Sequence, residues 1–364
     1  MNILILNWRD LKHPLAGGAE ISLNRHAQYW HSQGETVTWF SSSFKGARKE
    51  ETLNGIRYIR RGSHYTVFIH FFLYYLKTRI SIDTVVDCFH FIPFFTPLFI
   101  RNKKIVALIH EVAGDVWFEN IFFPLSLIGF LIEPFLIRLY ENNLFITVSD
   151  STKKDLEKIG IKKKNIRLVH NGVTPFSLHG KIVKEKLPTL VFLGRLSRDK
   201  GIEDALLMVE LLKREHSALQ LWIIGKFENK KYEKRIKKLL DDFKVKKNCT
   251  LYGYVNEDMK GKLLKKAWLL IHPSVREGWG LNVIEANSVG TPAIGYNVQG
   301  LRDSIKHGKT GLLVESDAIS LANGVEELIL DKKKLHQLSE NSIEWSKNFS
   351  WDVAVRRSYK IVNR

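Results

Sequence analysis

The chain has 364 residues, more than one hydrophobic core usually organises, so length alone sets the expectation of two domains of roughly 150 to 200 residues each. With 45% hydrophobic and 26% charged residues, 24 Gly and 9 Pro, the fibrous and disordered classes are excluded. Lys plus Arg number 56 against 38 Asp plus Glu, and a net charge of +18 attracts nucleic acid, anionic lipid and phosphorylated substrates without choosing among them.

The N-terminus enters the apolar run Asn2 to Leu6 directly, without the basic and apolar regions of a signal peptide, so a cytoplasmic protein is expected. Strands are predicted at Asn2 to Asn7, Thr36 to Phe40, Ile56 to Arg60, Thr84 to Cys88, Ile105 to His110, Leu144 to Val148 and Asn165 to Val169, with helical segments between many of them. Glu20 to Gln33 places Leu23, Ala27 and Trp30 on one helical face, and Gly34 ends it. Two apolar stretches interrupt this series, Tyr65 to Leu76 and Ile121 to Tyr140. The second nears membrane-spanning length, but Pro124, Glu133, Pro134 and Arg138 argue for a buried or surface-lying helix rather than a crossing one, and docking of both stretches on a bilayer and ordinary core packing stay open. Cys88 and Cys249 sit far apart in sequence and support neither a disulfide framework nor a zinc site built from cysteine pairs, which fits a reducing compartment.

Pro175 to Pro188, with Gly180 and several lysines, reads as a linker. A second series follows at Leu190 to Gly194, Leu219 to Gly225, Thr250 to Tyr252, Trp268 to His272, Pro292 to Gly295 and Leu312 to Val314. The lysine-rich run Lys230 to Lys247 between them reads as a solvated helix face. The expectation is two doubly wound α/β units with a cleft between them, residues 1–175 and 176–352. Ligands in such sheets bind beyond the carboxyl ends of the strands.

The most informative segment is EGWGLNVIE, Glu277 to Glu285, a glycine loop running into a helix. Gly278 and Gly280 let a ligand approach the backbone, and the amides of Leu281, Asn282 and Val283 at a helix start suit a phosphate. Glu277 and Glu285 can accept hydrogen bonds from hydroxyls of one ligand. Downstream of the strand Leu190 to Leu193, the loop GRLSRDKG carries Arg195 and Lys200, two cations able to neutralise a pyrophosphate. The loop Ala16 to Glu20, AGGAE, offers Gly17 and Gly18 for close backbone approach, and His110 stands at a strand end.

In these motifs, above all in HPSVREGWGLNVIEANSVGTPAIGYNVQGLRDSI from His272 to Ile305, the sequence resembles glycosyltransferase family 4, whose hallmark is two glutamates separated by seven residues. Further matches at Ile146 to Leu156, His170 to Pro175 and from Phe349 onward spread the resemblance over nearly the whole chain. It implies the GT-B fold, two Rossmann-like domains facing a cleft, with an acceptor-side first domain, a nucleotide-sugar-binding second domain and a tail, about 353–364, returning to the first. It implies a retaining hexosyltransferase acting on a nucleotide diphosphate sugar, GDP-mannose or UDP-hexose. Glu277 would hold the transferred sugar, Glu285 the ribose, Arg195 and Lys200 the diphosphate, and His110 would face the donor sugar.

No Asp-x-Asp metal motif supports a metal, and none is expected, nor any other cofactor. The aromatic and apolar stretches and the basic charge point to a glycan or lipid-linked acceptor and an anionic membrane surface, with the protein peripheral on its cytoplasmic face. Two competing readings are a polyanion or nucleic-acid-binding protein, for which no recognised motif appears, and a catalytically silent subunit that binds sugar nucleotides.

Overall fold

The computed structural model describes residues 1–78, 81–178 and 180–363. His179 of the expected linker and Arg364 at the end of the expected tail lie outside the described residues. The chain forms two compact units, Met1–Gly172 with Trp351–Arg364, and Val173–Ser350.

The first unit holds an eight-stranded sheet of β1 (Asn2–Leu6), β2 (Thr36–Ser41), β3 (Glu50–Leu53), β4 (Ile56–Arg60), β5 (Thr84–Phe89), β6 (Lys104–Ile109), β7 (Leu144–Thr147) and β8 (Ile166–Leu168). Their order is β3-β4-β2-β1-β5-β6-β7-β8, parallel throughout except for the β3–β4 hairpin. Separate clusters of buried side chains form the cores of this unit, one gathering Val67, Phe71, Ile137 and Leu156 from helices, the other Leu23, Ala27, Trp30 and Ala354. Strands covered on both faces need apolar side chains in both directions, and β5 is buried at all six positions.

The second unit holds β9 (Thr189–Leu193), β10 (Gln220–Ile224), β11 (Cys249–Gly253), β12 (Leu269–His272), β13 (Ala293–Tyr296) and β14 (Gly311–Val314). All neighbours are parallel, in the order β11-β10-β9-β12-β13-β14. The run Lys230 to Lys247 forms helix Lys230–Asp242, which buries Ile236 and Leu240 and turns most of its lysines outward.

The stretch Pro175 to Pro188, read as a linker, packs on the second unit. Phe176 and Leu178 pack against the second core. Glu185 N–H donates to the Lys266 carbonyl at 2.9 Å, and Lys184 Nζ reaches the Ala267 carbonyl and Thr291 Oγ1, both at 2.6 Å. Burial pushes the Lys184 ammonium down to about 7.

The C-terminal helix Trp351–Asn363 belongs to the first unit and lies along helix Gly18–Ser32. There Ser358 Oγ accepts from Trp30 Nε1 at 3.1 Å and meets His26 Nδ1 at 2.8 Å, all three side chains being buried. The apolar stretches form helices Val67–Thr78 and Leu125–Arg138, and among the described residues no helix is long and apolar enough to cross a membrane.

Candidate functional site

In the second unit the loops after β9, β12 and β13 meet at the carboxyl ends of the strands. Val275 N–H donates to the Asp199 carbonyl at 3.1 Å, and Glu277 N–H to the Gln299 carbonyl at 3.3 Å. Two glycines make this closure possible. A Cβ on Gly201 would stand 2.0 Å from the Pro273 carbonyl oxygen, and one on Gly300 would stand 2.0 Å from that of Glu277. Both adopt positive φ, +70° and +78°, which other L residues rarely tolerate.

Clamped in this way, Lys200 Nζ lies 2.6 Å from Glu277 Oε1 and 3.8 Å from Asp199. Ser274 Oγ donates to the same Glu277 oxygen at 3.0 Å, and His272 Nε2 lies 3.3 Å from it. Burial alone would raise the Glu277 carboxyl, but Lys200 and His272 outweigh it and hold the group well below the usual carboxylate range. Arg195 joins the cluster through Asp199, 3.3 Å from its guanidinium.

Gly280, at φ +77°, opens helix Leu281–Ser288, whose first turn has no side-chain cap. Asn282 Nδ2 donates to the Leu193 carbonyl at 2.7 Å, so this side chain fastens the helix start to the end of β9. Leu281 is half-buried at the same turn. Glu285 pairs with Lys260 at 2.9 Å. Burial pushes the Glu285 carboxyl up and Lys260 pulls it only part of the way back. Beside the β9 loop, a hollow of about 570 Å³ is lined by Leu196, Gly225, Lys226, Tyr252 and Tyr254 among others.

In the first unit Gly17 caps helix Gly18–Ser32, and its amide is already taken, donating to Glu20 Oε2 at 2.7 Å. The other oxygen of Glu20 faces Arg9 Nε and His90 Nε2, each at 3.1 Å. Burial opposes ionisation of this carboxyl, yet His90, Arg9 and the Gly17 amide hold it down to about 2. Gly18 is exposed. His110 lies one residue beyond β6, its carbonyl accepting from Thr152 Oγ1 at 3.0 Å. Burial and the neighbouring His90 lower its imidazole to about 4, so it is neutral at pH 7.

The structure therefore brings Arg195, Lys200 and Glu277 into one cluster and places Gly280, Leu281 and Asn282 on the helix start fastened to the β9 end. Glu285 sits on the same helix but against Lys260. Gly17, Gly18 and His110 belong to the first unit. Sequence reasoning had not singled out Asp199, Ser274 and Lys260, which nothing in their local pattern marks, nor His272, whose place at the end of β12 could have marked it.

Such a pair of doubly wound units, one carrying cations and a carboxylate on glycine-clamped loops beside an uncapped helix start, defines a class of proteins that bind phosphorylated ligands at strand ends. The family described as Glycosyl transferases group 1 matches residues 177–345, and Glycosyltransferase Family 4 matches residues 16–175. The chain belongs to glycosyltransferase family 4.

An uncharacterized glycosyltransferase of Methanocaldococcus jannaschii is 28% identical over 238 residues, covering 61% of this chain and 60% of that protein. A GDP-mannose-dependent alpha-(1-6)-phosphatidylinositol monomannoside mannosyltransferase of Mycobacterium tuberculosis is 28% identical over 175 residues, covering 46% and 45% respectively. The chain thus spans about half the length of the curated relatives it matches. Among solved structures, sucrose-phosphate synthase from Thermosynechococcus elongatus superposes with a TM-score of 0.82 at 19% identity, covering 100% of this chain and 98% of that one. Anabaena HepE in complex with UDP and glucose does so with a TM-score of 0.75 at 16% identity, covering 100% and 99%. The fold is GT-B.

Proposed function

We propose that the chain is a retaining hexosyltransferase that moves a sugar from a nucleotide diphosphate donor, GDP-mannose or a UDP-hexose, to a hydroxyl of a glycan or lipid-linked acceptor. The observation that carries this reading is the Lys200–Glu277 contact of 2.6 Å on loops tied beside the start of helix Leu281–Ser288. The bond from the sugar's anomeric carbon to the β-phosphate oxygen breaks, and the acceptor oxygen bonds to that carbon on the same face. The acceptor's proton passes to the departing phosphate. Lys200, Arg195 and the amides of Leu281 and Asn282 stabilise the charge left on the diphosphate, the work a metal does elsewhere.

Glu277 accepts from hydroxyls of the donor sugar, Glu285 from the ribose, and neutral His110 faces the sugar. Gly17 and Gly18 line the donor phosphates, and the hollow at Lys226 and Tyr254 takes the base. The relative named for GDP-mannose and the neighbour holding UDP and glucose support the choice of donors.

Radiolabelled UDP-glucose, UDP-galactose and GDP-mannose, each incubated with the protein with and without EDTA, test the reading. One donor is expected to be hydrolysed or transferred, equally in both arms, and the anomeric configuration to be kept. Salt-sensitive binding to random oligonucleotides with no response to any donor would replace this reading with a polyanion-binding one. Donor binding without turnover would leave a silent subunit.

A further inference from the structure

Helix Leu125–Arg138 is amphipathic the wrong way round. Its inward stripe consists of Ser126, Gly129, Glu133 and Ile137 at helical spacing. Glu133 is buried and accepts from the Ala113 and Gly114 amides at 2.7 and 2.9 Å and from Trp117 Nε1 at 3.1 Å. Gly129 lies against the Trp117 ring, where a Cβ would come within 2.2 Å of a ring carbon. The side chains turned to solvent are apolar, with Phe122, Phe123 and Phe135 exposed by 72%, 73% and 67%, and Leu125, Ile128, Leu131 and Ile132 beside them. A helix so arranged has satisfied its polar groups against the protein and left its apolar surface in water, a cost that only a further apolar phase removes.

Charge identifies that phase. Along Leu125–Arg138 the one acidic side chain is Glu133, which faces inward. At the carboxyl end Arg138 Nε donates to the Ile159 carbonyl at 2.7 Å, and Asn165 Nδ2 to the Glu141 carbonyl at 2.7 Å. These bonds bring the exposed Lys162, Lys163 and Lys164 to the end of the apolar helix. Helix Val67–Thr78, which shares a core cluster with Ile137, also presents Ile69, Phe72, Leu73 and Leu76 to solvent and carries Lys77 in its last turn.

We infer that Phe122 to Leu139 is the docking surface of this protein on an anionic lipid bilayer, lying in the plane of the interface with Phe122 and Phe123 inserted and Arg138 and Lys162 to Lys164 against the headgroups. Binding of this kind needs no sugar donor, so it stands or falls apart from the transfer reaction.

The full chain is sedimented with vesicles of phosphatidylcholine alone and of phosphatidylcholine with phosphatidylglycerol, at low and high salt. The unaltered protein is expected to pellet with the anionic vesicles at low salt and to be partly released at high salt. Phe122→Ser/Phe123→Ser/Phe135→Ser, at positions that support no core contact, is expected to lose at least about tenfold in partitioning while keeping its melting midpoint. Neutralising Lys162, Lys163 and Lys164 costs about fivefold for each lysine at low salt. The inference is overturned if the unaltered protein stays in solution with anionic vesicles, or if the triple serine variant binds as before. Concentration-dependent dimerisation abolished by the same substitutions would also overturn it, since a second copy would then cover the face.

Discussion

Replacing Lys200 by Met keeps the side-chain bulk and removes the charge that faces Glu277. The two charges stand 2.6 Å apart, with the lysine side chain 23% and the glutamate 16% exposed. At an effective dielectric of about 20 their gross attraction is roughly 6 kcal/mol. Desolvation offsets much of that, and breaking a partly buried pair from one side leaves a net cost of about 2–3 kcal/mol, somewhat below the fully buried case. For a unit of this size the melting midpoint falls by about 2–4 °C per kcal/mol, so a drop of about 4–12 °C is expected.

The double variant Lys200→Met/Glu277→Gln removes the orphaned charge and recovers most of that loss, whereas donor turnover stays abolished in both. The pH dependence separates the two states further. In the unaltered protein Glu277 is held low, so its contribution is complete above about 4.3, the ordinary value for glutamate, and is lost only as pH falls toward the depressed one. Without Lys200 burial is opposed by His272 alone, so the carboxyl rises, protonation relieves the variant and its deficit shrinks as pH falls. Thermal melts over a range of pH, with calorimetric titration of UDP and GDP, test the chain of reasoning. An unchanged midpoint for Lys200→Met together with unchanged nucleotide affinity would refute it.

Gly300→Ala places a Cβ against the Glu277 carbonyl oxygen, so the loop shifts, stability falls by about 1–3 kcal/mol and donor KM rises; denaturant melts and donor titration read both. Ser358→Val leaves Trp30 Nε1 and His26 unsatisfied in the first unit and costs about 1–3 kcal/mol, visible as a lower urea midpoint. Glu20, held at about 2, contributes on the order of 3 kcal/mol above pH 5 and loses it as pH falls toward 2. The midpoint gap between the unaltered protein and Glu20→Gln therefore narrows in acid-titrated melts. Burial holds the His110 imidazole down to about 4, so His110 contributes no inflection to the donor turnover profile between pH 6 and 8, and His110→Ala loses at least about a hundredfold in turnover at pH 7.

The alternating pattern of short apolar runs and helical segments was legible because parallel strands covered on both sides must be largely apolar, and β1, β5, β9 and β12 fall where those runs fall. Strand β3 was not expected, since Glu50–Leu53 has too little apolar character to form a core strand. Its signal lay in Asn54-Gly55, both at positive φ, which turn it back on β4. The loop carrying Glu277 was readable from its glycines and carboxylates, but its partners were not. Lys260 sits in a lysine-rich helix indistinguishable from a solvated one, and only the fold brings it to Glu285. The inverted helix Leu125–Arg138 shows the same limit. Its apolar residues left burial and a surface-lying face both open, and nothing local reveals that Glu133, the polar exception, is the residue facing inward.

The return of helix Trp351–Asn363 to the first unit carries a consequence for biosynthesis. Helix Gly18–Ser32 leaves the ribosome early, but the hydroxyl that completes the surroundings of His26 is encoded 332 residues later. At about 5–20 residues per second that is a delay of roughly 15 to 70 s, during which His26 and Trp30 lack their Ser358 partner. Of the two units, the one begun earlier is therefore finished later, and a nascent chain that stalls before Ser358 leaves uncovered the face of helix Gly18–Ser32 on which Trp351–Asn363 packs.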